Sequence, residues 1–283
     1  MQEIWTIGRI LKWTEQFFKE KGIESPRLDA EVLLSHILGR ERIYLYVHFD
    51  EPLEPAELAR YRDAIKQRVQ RVPVAYIIGE KEFMGLTFKV TEDTLVPRPD
   101  TEILVQAAVE RLRARGEAPR FADIGTGSGA ICLSVLHFLP KAQADTVDIS
   151  PAARAVAEEN AAALEVADRV TFHTGDLLAP LAGSYDAILS NPPYIPDDDI
   201  AALAPEVRLK EPHTALAGGK DGLDFYRRLT ADAPALLKDG GFLAVEVGIH
   251  QAAPVAALAV PSFSRTEILK DYAGIERVVI AWK

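Results

Sequence analysis

The chain has 283 residues, of which 48% are hydrophobic and 26% charged, and this composition is typical of one large and one small globular domain. It contains no run of about 18 apolar residues, and charges interrupt its first residues, where a signal peptide needs an apolar core. Cys132 is the single cysteine, which excludes a disulfide framework and a thiolate metal site. We therefore expect a cytoplasmic protein with no membrane segment and no metal, and we expect a monomer.

The net charge of -10 argues against a protein that grips long nucleic acid by neutralising phosphates. The acidic excess lies after residue 75, because residues 1–75 carry equal numbers of acidic and basic residues. Nucleic acid is therefore not an expected partner of the C-terminal part.

Residues 1–75 have the pattern of a small helical bundle. An apolar stripe at helical spacing ends near Gly22. Ser25-Pro26 then marks the start of a second helix, which contains Leu28 and ends at Gly39. A further helix begins at Pro55 and carries five cations: Arg60, Arg62, Lys66, Arg68 and Arg71. We interpret them as a solvated face, and a docking face for an acidic or RNA-bearing partner is the alternative.

From Val72 to Val96 the pattern changes to short β-like pieces split around Gly85. This pattern predicts a β-hairpin connector over 76–95. The proline-rich segment at 96–102 then leads into a helix, with Asp100 or Thr101 as its N-cap. Alternatively, Arg98 and the nearby acids Asp100 and Glu102 line a cleft.

From Arg120 onward, strand and helix patterns alternate without a break. Repeated βα units predict a Rossmann-like α/β domain over 96–283 with a mostly parallel sheet. The last two strand-like runs, joined by a turn at Ala273-Gly274, predict an antiparallel edge.

The first strand of this domain runs into a glycine-rich loop, Gly125-Thr126-Gly127-Ser128-Gly129, and then a helix. Glycines let the backbone approach a ligand closely, but Gly125, Gly127 and Ala130 also satisfy the form used by nicotinamide enzymes. Asp148 follows the second strand at the spacing of an acid that binds ribose hydroxyls. Asp176, after the third strand, is a candidate acceptor for an adenine amine, and a loop or cap role is the alternative for both acids.

The fourth strand ends in Asn191-Pro192-Pro193-Tyr194. The prolines stiffen the turn, which presents the Asn191 side-chain carbonyl and the Pro192 backbone carbonyl to a planar NH2 group, with the Tyr194 ring against its plane. Two acceptors stabilise the positive charge that grows on such a nitrogen as it attacks an electrophile. A methyl donor needs this arrangement and a hydride donor does not. Asp123, before the glycines, is placed to meet the ammonium group of an amino-acid-bearing cofactor.

Seven segments act together as family motifs: VPRPDTE (96–102), DIGTGSGAI (123–131), VDIS (147–150), SNPPYI (190–195), EPHTALAGGKDGLDFYR (211–227), EVG (246–248) with Gln251, and KDYAGIERVV (270–279). In these segments the chain resembles the HemK/PrmC family, the protein-(glutamine-N5) methyltransferases that modify peptide chain release factors. The resemblance implies a class I S-adenosylmethionine-dependent methyltransferase fold, with a seven-stranded sheet and an N-terminal helical domain that recognises the release factor.

The resemblance also implies the binding residues. S-adenosylmethionine is expected at Gly125–Gly129, Asp148, the Asp176-Leu177 turn and Asn191. The glutamine carboxamide of a Gly-Gly-Gln loop in a class I release factor is expected at Asn191, Pro192, Pro193 and Tyr194. The chain departs from the family at Leu177, where members often carry an aromatic residue, so the contact with adenine is expected to be aliphatic.

Two other functions remain open. The first is methylation of adenine amines in DNA or RNA, because an exocyclic amine fits the same two acceptors. The acidic charge of the domain disfavours this function. A non-catalytic cofactor-binding adaptor is the alternative outside enzymes, and the intact Asn191–Tyr194 segment disfavours that.

Overall fold

The computed structural model describes residues 4–283. The chain divides into two compact units: a helical unit, residues 4–79 with Ala204–Lys210, and a sheet unit, Glu80–Leu203 with Glu211–Lys283. Within the described residues, no helix has the length and apolar character needed to cross a membrane.

The helices are α1 (Ile7–Glu20), α2 (Pro26–Leu38), α3 (Arg42–Val47), α4 (Pro55–Val69), α5 (Val74–Ile78), α6 (Glu102–Arg115), α7 (Ala130–Phe138), α8 (Pro151–Ala163), α9 (Pro205–Lys210), α10 (Asp224–Leu236) and α11 (Ala252–Ala259). The strands are β1 (Glu80–Phe83), β2 (Leu86–Lys89), β3 (Arg120–Ile124), β4 (Gln143–Asp148), β5 (Val170–Thr174), β6 (Tyr185–Ser190), β7 (Leu237–Glu246), β8 (Arg265–Lys270) and β9 (Glu276–Trp282).

The helical unit contains α1 to α5 and α9. Helix α2 begins with Pro26 at its first position and ends at Gly39, whose φ of 61° is the left-handed conformation that glycine tolerates at a helix end. Leu33 and Leu34 are buried in the core of the unit, whereas Leu28 is 45% exposed. The core of this unit therefore takes the α2 face that carries Leu33 and Leu34.

Arg68 is also not the solvated residue that its basic neighbours predict. It is 4% exposed and pairs with Asp29 at 2.7 Å and with Glu206 at 2.8 Å, all within the helical unit. A buried guanidinium needs such partners, since an unpaired buried charge is costly. The spacing of cations on one helix does not reveal the acids that other elements supply.

The sequence pattern predicts β-structure from Val72, but the first strand begins at Glu80. Residues Val74–Ile78 form the short helix α5, which Gly79 ends in a left-handed conformation with φ of 86°. The hairpin follows directly, with β1 antiparallel to β2 and a turn at Met84 and Gly85. The β-branched residues of α5 favour a strand by propensity, and tertiary context overrides this preference.

The sheet has seven strands in the order β5-β4-β3-β6-β7-β9-β8. The strands from β5 to β7 are parallel, and β9 is antiparallel to both β7 and β8. The mostly parallel sheet with an antiparallel edge is therefore confirmed.

Helices cover both faces of the sheet, so its central strands are buried on both sides. Along β6, Ala187 and Leu189 belong to the core on the side of α6 and α7, while Ile188 belongs to the core on the side of α10 and α11. Alternate side chains of a strand point to opposite faces. This burial explains why the middle of β6, residues 187–189, is apolar.

Candidate active site

A pocket of about 400 Å³ lies at the carboxyl ends of β3, β4 and β6. This edge of a parallel sheet is where α/β proteins bind ligands. The wall contains nine of the residues predicted from the sequence: Gly125, Thr126, Gly127, Ser128, Asp148, Asp176, Leu177, Asn191 and Pro193. Asp123, Gly129, Pro192 and Tyr194 lie outside the wall.

The glycine loop connects β3 to α7 through three left-handed residues. Gly125, Gly127 and Gly129 have φ values of 81°, 54° and 83°, which residues with a Cβ rarely adopt. The backbone N–H of Gly125 donates to the Val147 carbonyl at 2.9 Å, which fixes the loop to the end of β4. A Cβ on Gly125 would lie 3.9 Å from the backbone oxygen of Asn191, so the loop and the end of β6 share one wall.

Asp148 is held by the backbone on both carboxylate oxygens. Gly127 donates its N–H to Oδ2 and Ser150 donates its N–H to Oδ1, each at 2.8 Å. Each carboxylate oxygen has a second lone pair, so both oxygens can also accept a hydrogen bond from a hydroxyl group of a ligand in the pocket. This geometry suits a vicinal diol such as a ribose.

Asp123 lies at the end of β3 with 0% exposure. Among the described residues, neither of its carboxylate oxygens has a hydrogen-bond partner. Burial, assisted by the charge of Asp148, raises its pKa to about 8. An unsatisfied acid beside the glycine loop fits a cofactor that brings an ammonium group.

The two residues predicted to lie near the adenine, Asp176 and Leu177, have different contacts. Asp176 forms an ion pair with Arg228 at 2.6 Å, which occupies one of its oxygens. Leu177 adopts a left-handed φ of 48° and lines the wall. Ile149, 64% exposed, and Phe225 line the same pocket and were not predicted from the sequence.

Asn191 is oriented by the proline-rich segment. Its Nδ2 donates to the buried hydroxyl of Thr101 at 3.2 Å, which turns the Oδ1 carbonyl to the other side of the amide group. Ser190, the residue before it, donates its hydroxyl to the Ile124 carbonyl at 2.7 Å and joins the ends of β6 and β3. Thr101 is thus a pocket residue, and the sequence alone indicated only an N-cap.

Tyr194 packs closely against Gly218 and Gly222 of one later segment and against Gly248 of another. A Cβ on Gly218 would lie 2.7 Å from Tyr194 Cα, and one on Gly222 would lie 2.3 Å from the Tyr194 carbonyl oxygen. Gln251 donates from Nε2 to that carbonyl at 2.9 Å and accepts from the Gly248 N–H at 3.0 Å. Burial raises the pKa of the Tyr194 hydroxyl to about 12, so the ring is neutral at physiological pH.

The charged residues of the proline-rich segment reach three different places. Arg98 lines the pocket and pairs with the buried Glu211 at 2.5 Å. Asp100 pairs with Arg277 of β9 at 2.8 Å. Glu102 accepts the N–H of Met84 at 2.9 Å and so holds the hairpin turn. Arg98 lies at the cleft, whereas Glu102 has a structural contact.

Sequence reasoning missed Glu246 at the end of β7 and the part of Gln251 in the loop contacts. Glu246 is 2% exposed. An acid in an otherwise apolar strand, FLAVEV, is the signal that marks it, because unpaired acids are rarely buried.

A glycine loop after β3, an acid at the end of β4 and an Asn-Pro-Pro-Tyr turn after β6 of this sheet define a class I S-adenosylmethionine-dependent methyltransferase. A methyltransferase from Pyrococcus furiosus shares the fold, with a TM-score of 0.57 and 19% identity over 77% of this chain and 98% of that one. The family model described as the methyltransferase small domain matches residues 99–221, and the one described as the PrmC N-terminal domain matches residues 9–79.

Full-length relatives identify the family. A release factor glutamine methyltransferase of Geobacter sulfurreducens is 48% identical over 283 residues, which cover 98% of this chain and 96% of the relative. One of Moorella thermoacetica is 48% identical over 265 residues, which cover 93% of each chain. The chain belongs to the release factor glutamine methyltransferase family, as the resemblance in the motifs predicted.

Proposed function

We propose that this protein transfers a methyl group from S-adenosylmethionine to the side-chain amide nitrogen of the glutamine in the Gly-Gly-Gln motif of class I peptide chain release factors. The observation that carries this proposal is that Asn191 and Pro193, in the turn at the end of β6, share a pocket wall with the glycine loop. The full-length relatives named release factor glutamine methyltransferase support the choice of acceptor.

The residues present fit the cofactor. Gly125–Gly129 offer backbone at close range, Asp148 offers two oxygens to the ribose hydroxyls, and Asp123 offers an unpaired carboxylate to the ammonium group. Leu177 is placed for an aliphatic contact with the adenine. When bound, S-adenosylmethionine supplies an electrophilic methyl group, and we propose that no metal takes part.

On the acceptor side, an amide nitrogen is a weak nucleophile because its lone pair is conjugated. The Asn191 side-chain carbonyl and the Pro192 backbone carbonyl accept hydrogen bonds from the substrate NH2 group and point it at the cofactor, with Pro193 and Tyr194 shaping the turn. As positive charge grows on the nitrogen, both acceptors stabilise it more strongly than in the ground state. The rate enhancement therefore comes from positioning and electrostatics, and the surplus proton leaves to water afterwards.

We further propose that the helical region over 1–75 recognises the release factor, that 76–95 connects it to the methyltransferase region over 96–283, and that nucleic acid is not a substrate. The monomeric state and the cytoplasmic location stay predictions. Methylation of adenine amines is the alternative, since an exocyclic amine suits the same two acceptors.

The test is incubation with labelled S-adenosylmethionine and, in parallel, a purified class I release factor, its Gly-Gly-Gln glutamine variant, and duplex or ribosomal nucleic acid, followed by peptide mass mapping. We expect one methyl group on that glutamine and none on the variant. Label in nucleic acid and none in the factor would favour the adenine alternative. Cofactor binding with no transfer to any acceptor would favour the adaptor.

A further inference from the structure

Glu102 is the last residue of the proline-rich segment, and the proposed mechanism does not use it. Its Oε1 accepts the backbone N–H of Met84 at 2.9 Å, in the turn of the β1–β2 hairpin, where Met84 has a left-handed φ of 53°. Glu102 lies outside the pocket wall, but it follows Thr101, whose hydroxyl accepts from Asn191 at 3.2 Å. The contact with the hairpin turn is therefore one residue away from the group that orients Asn191.

The other charged residues of this segment have partners elsewhere. Arg98 pairs with Glu211 at 2.5 Å. Asp100 pairs with Arg277 at 2.8 Å. Both partners follow β6 in the chain, on the same side as the Asn191–Tyr194 turn, whereas Glu102 bonds to an element that precedes the sheet. The hairpin contact is thus the one that leads from the segment back toward the glycine loop.

The hairpin has the packing of a rigid element. Its two strands form four residue pairs in antiparallel register. Phe83 and Phe88, one from each strand, are 2% and 0% exposed, and their rings pack edge to face with centroids 6.1 Å apart. Both rings belong to the core that also contains Leu104 of α6. Because such cores are close-packed, a displacement at one end of the hairpin is carried to the other end.

Asn160 of α8 holds the other end of the hairpin. Its Oδ1 accepts the Lys89 N–H at 2.7 Å and its Nδ2 donates to the Lys89 carbonyl at 3.0 Å, as a neighbouring strand would. The second proton of Nδ2 goes to the Ser128 carbonyl of the glycine loop at 2.8 Å. Asn160 is 2% exposed, and a reversed amide would face like groups at all three partners. The end of β2 is therefore fixed to the glycine loop in one geometry.

These contacts form a continuous path behind the pocket. It runs from the glycine loop through Asn160, the hairpin and Glu102 to Thr101, and its middle members lie outside the pocket wall. Methyl transfer depends on one distance across the pocket, between the methyl group on the glycine-loop side and the nitrogen on the Asn191 side. A misplacement of about 1 Å costs about 100-fold in rate. A link between the two sides therefore bears on turnover.

We propose that Glu102 and Asn160 are positioning residues and that the β1–β2 hairpin between them is a brace, which holds Thr101, and with it Asn191, at a fixed distance from the glycine loop. This inference rests on the proposed function for its consequence in turnover, whereas the brace itself is a property of the free protein. It gives Glu102 a task that its place in the sequence does not reveal.

The sequence provides a probe at each end of the brace. Asparagine occurs twice, at Asn160 and Asn191, so selective ¹⁵N labelling of asparagine yields two side-chain NH2 groups. The variant Asn191→Asp removes one signal and thereby assigns both. Exchange of these protons with water reports openings of their hydrogen bonds, and it is measured in the free protein.

We expect Glu102→Ala to speed the exchange of both NH2 groups about tenfold, the effect of one lost hydrogen bond. Glu102→Gln keeps an acceptor oxygen for the Met84 N–H and should restore most of the protection. Glu110→Ala removes the same side chain from an exposed position of the same helix and should match the wild type. Faster exchange at Asn191 alone, or unchanged exchange at both groups, would overturn the brace.

Turnover is the second measurement, at saturating S-adenosylmethionine and release factor. Glu102→Ala should lower kcat about tenfold, because a loosened Thr101 displaces Asn191 by less than the distance that costs about 100-fold. The cofactor Kd should stay within about twofold, since Gly125 and Gly127 keep their bonds to β4. Glu102→Gln should recover most of the lost rate. A purely structural role of Glu102 would lower the melting temperature without this fall in kcat.

A double-mutant cycle tests the path between the two residues. Asn160→Ala cuts the brace at its other end, so it should lower kcat by a similar factor, and the addition of Glu102→Ala should cost little more. Glu159→Ala is the control on α8, because it removes a surface ion pair with Lys89 and leaves Asn160 in place. Losses that multiply in the double variant would overturn the brace. If Asn160→Ala does not fold, the exchange measurements on the Glu102 variants decide alone.

The two failures are distinguishable. A wild type that methylates no release factor refutes the proposed function, while proton exchange at Asn160 and Asn191 still tests the brace. An active wild type with an equally active Glu102→Ala refutes the positioning role.

Discussion

The two sides of the pocket are built in different ways. The glycine-loop side, Gly125–Gly129 with Asp148, consists of backbone groups and one acid from two adjacent strands. The Asn191 side takes Thr101, Asn191 and Gln251 from three segments that are far apart in the chain. A site made of local backbone tolerates changes in remote side chains, whereas a site made of side-chain contacts depends on each of them.

The largest expected effect is on the Asn191 side. Asn191→Ala removes one acceptor of the growing positive charge, so kcat should fall about 100- to 1,000-fold. Cofactor affinity should change little, because the backbone of the glycine loop is intact. Single-turnover methylation and calorimetric titration with S-adenosylmethionine measure the two quantities. Asp198→Ala, at an exposed position further along the segment, is the control, and near-normal turnover of Asn191→Ala would refute the mechanism.

Two glycine variants should separate the sides. Gly222→Ala places a Cβ 2.3 Å from the Tyr194 carbonyl and should displace the Asn191–Tyr194 turn, lowering kcat about 100-fold with cofactor affinity retained. Gly129→Ala, with φ of 83° and a Cβ 2.7 Å from Leu133, should instead weaken S-adenosylmethionine binding about tenfold.

Gly274→Ala is the matched control for these variants, because its φ is also positive at 82° and no atom lies within 4 Å of the added Cβ. This variant shows the effect of the strained backbone conformation alone, without a steric clash of the added Cβ. If Gly222→Ala lost cofactor affinity and Gly129→Ala lost turnover, the division of the pocket would be wrong.

Asp123 should make cofactor binding depend on pH. Its pKa is raised to about 8 by burial, so the acid is mostly protonated at neutral pH in the free protein and gains attraction for an ammonium group when it ionises. The affinity for S-adenosylmethionine should rise up to about tenfold per pH unit as pH increases from about 6 toward 8. Titrations across this range should show no such slope for Asp123→Asn, and an equal slope in both proteins would exclude the contact.

The smallest expected effect is at Leu177. Leu177→Phe restores an aromatic ring at the wall and should tighten cofactor binding by less than about tenfold, within the range of base–aromatic stacking. Leu177→Ala should weaken it by a similar amount. Equilibrium binding measures both, and equal affinities in all three proteins would show that Leu177 does not contact the adenine.

Much of the fold was predictable because its signals are local. The alternation of strand and helix patterns predicted the parallel sheet, and Ser25-Pro26 and Gly39 marked both ends of α2. Short elements were not predictable: α5 has the β-branched residues of a strand, and only its surroundings make it a helix. Arg68 has the sequence context of a solvated cation, but its two acidic partners come from α2 and α9.

The sequence by itself determined the class of the protein, the glycine loop, Asp148 and the Asn191–Tyr194 turn, because each of these is a short continuous motif whose backbone chemistry is visible in the residues. Only the tertiary structure decided that Thr101 and Gln251 converge on that turn and that Tyr194 lies outside the pocket wall. The physical reason is that hydrogen bonds between side chains depend on distances across the sheet, and these distances are set by strand order and register rather than by spacing along the chain.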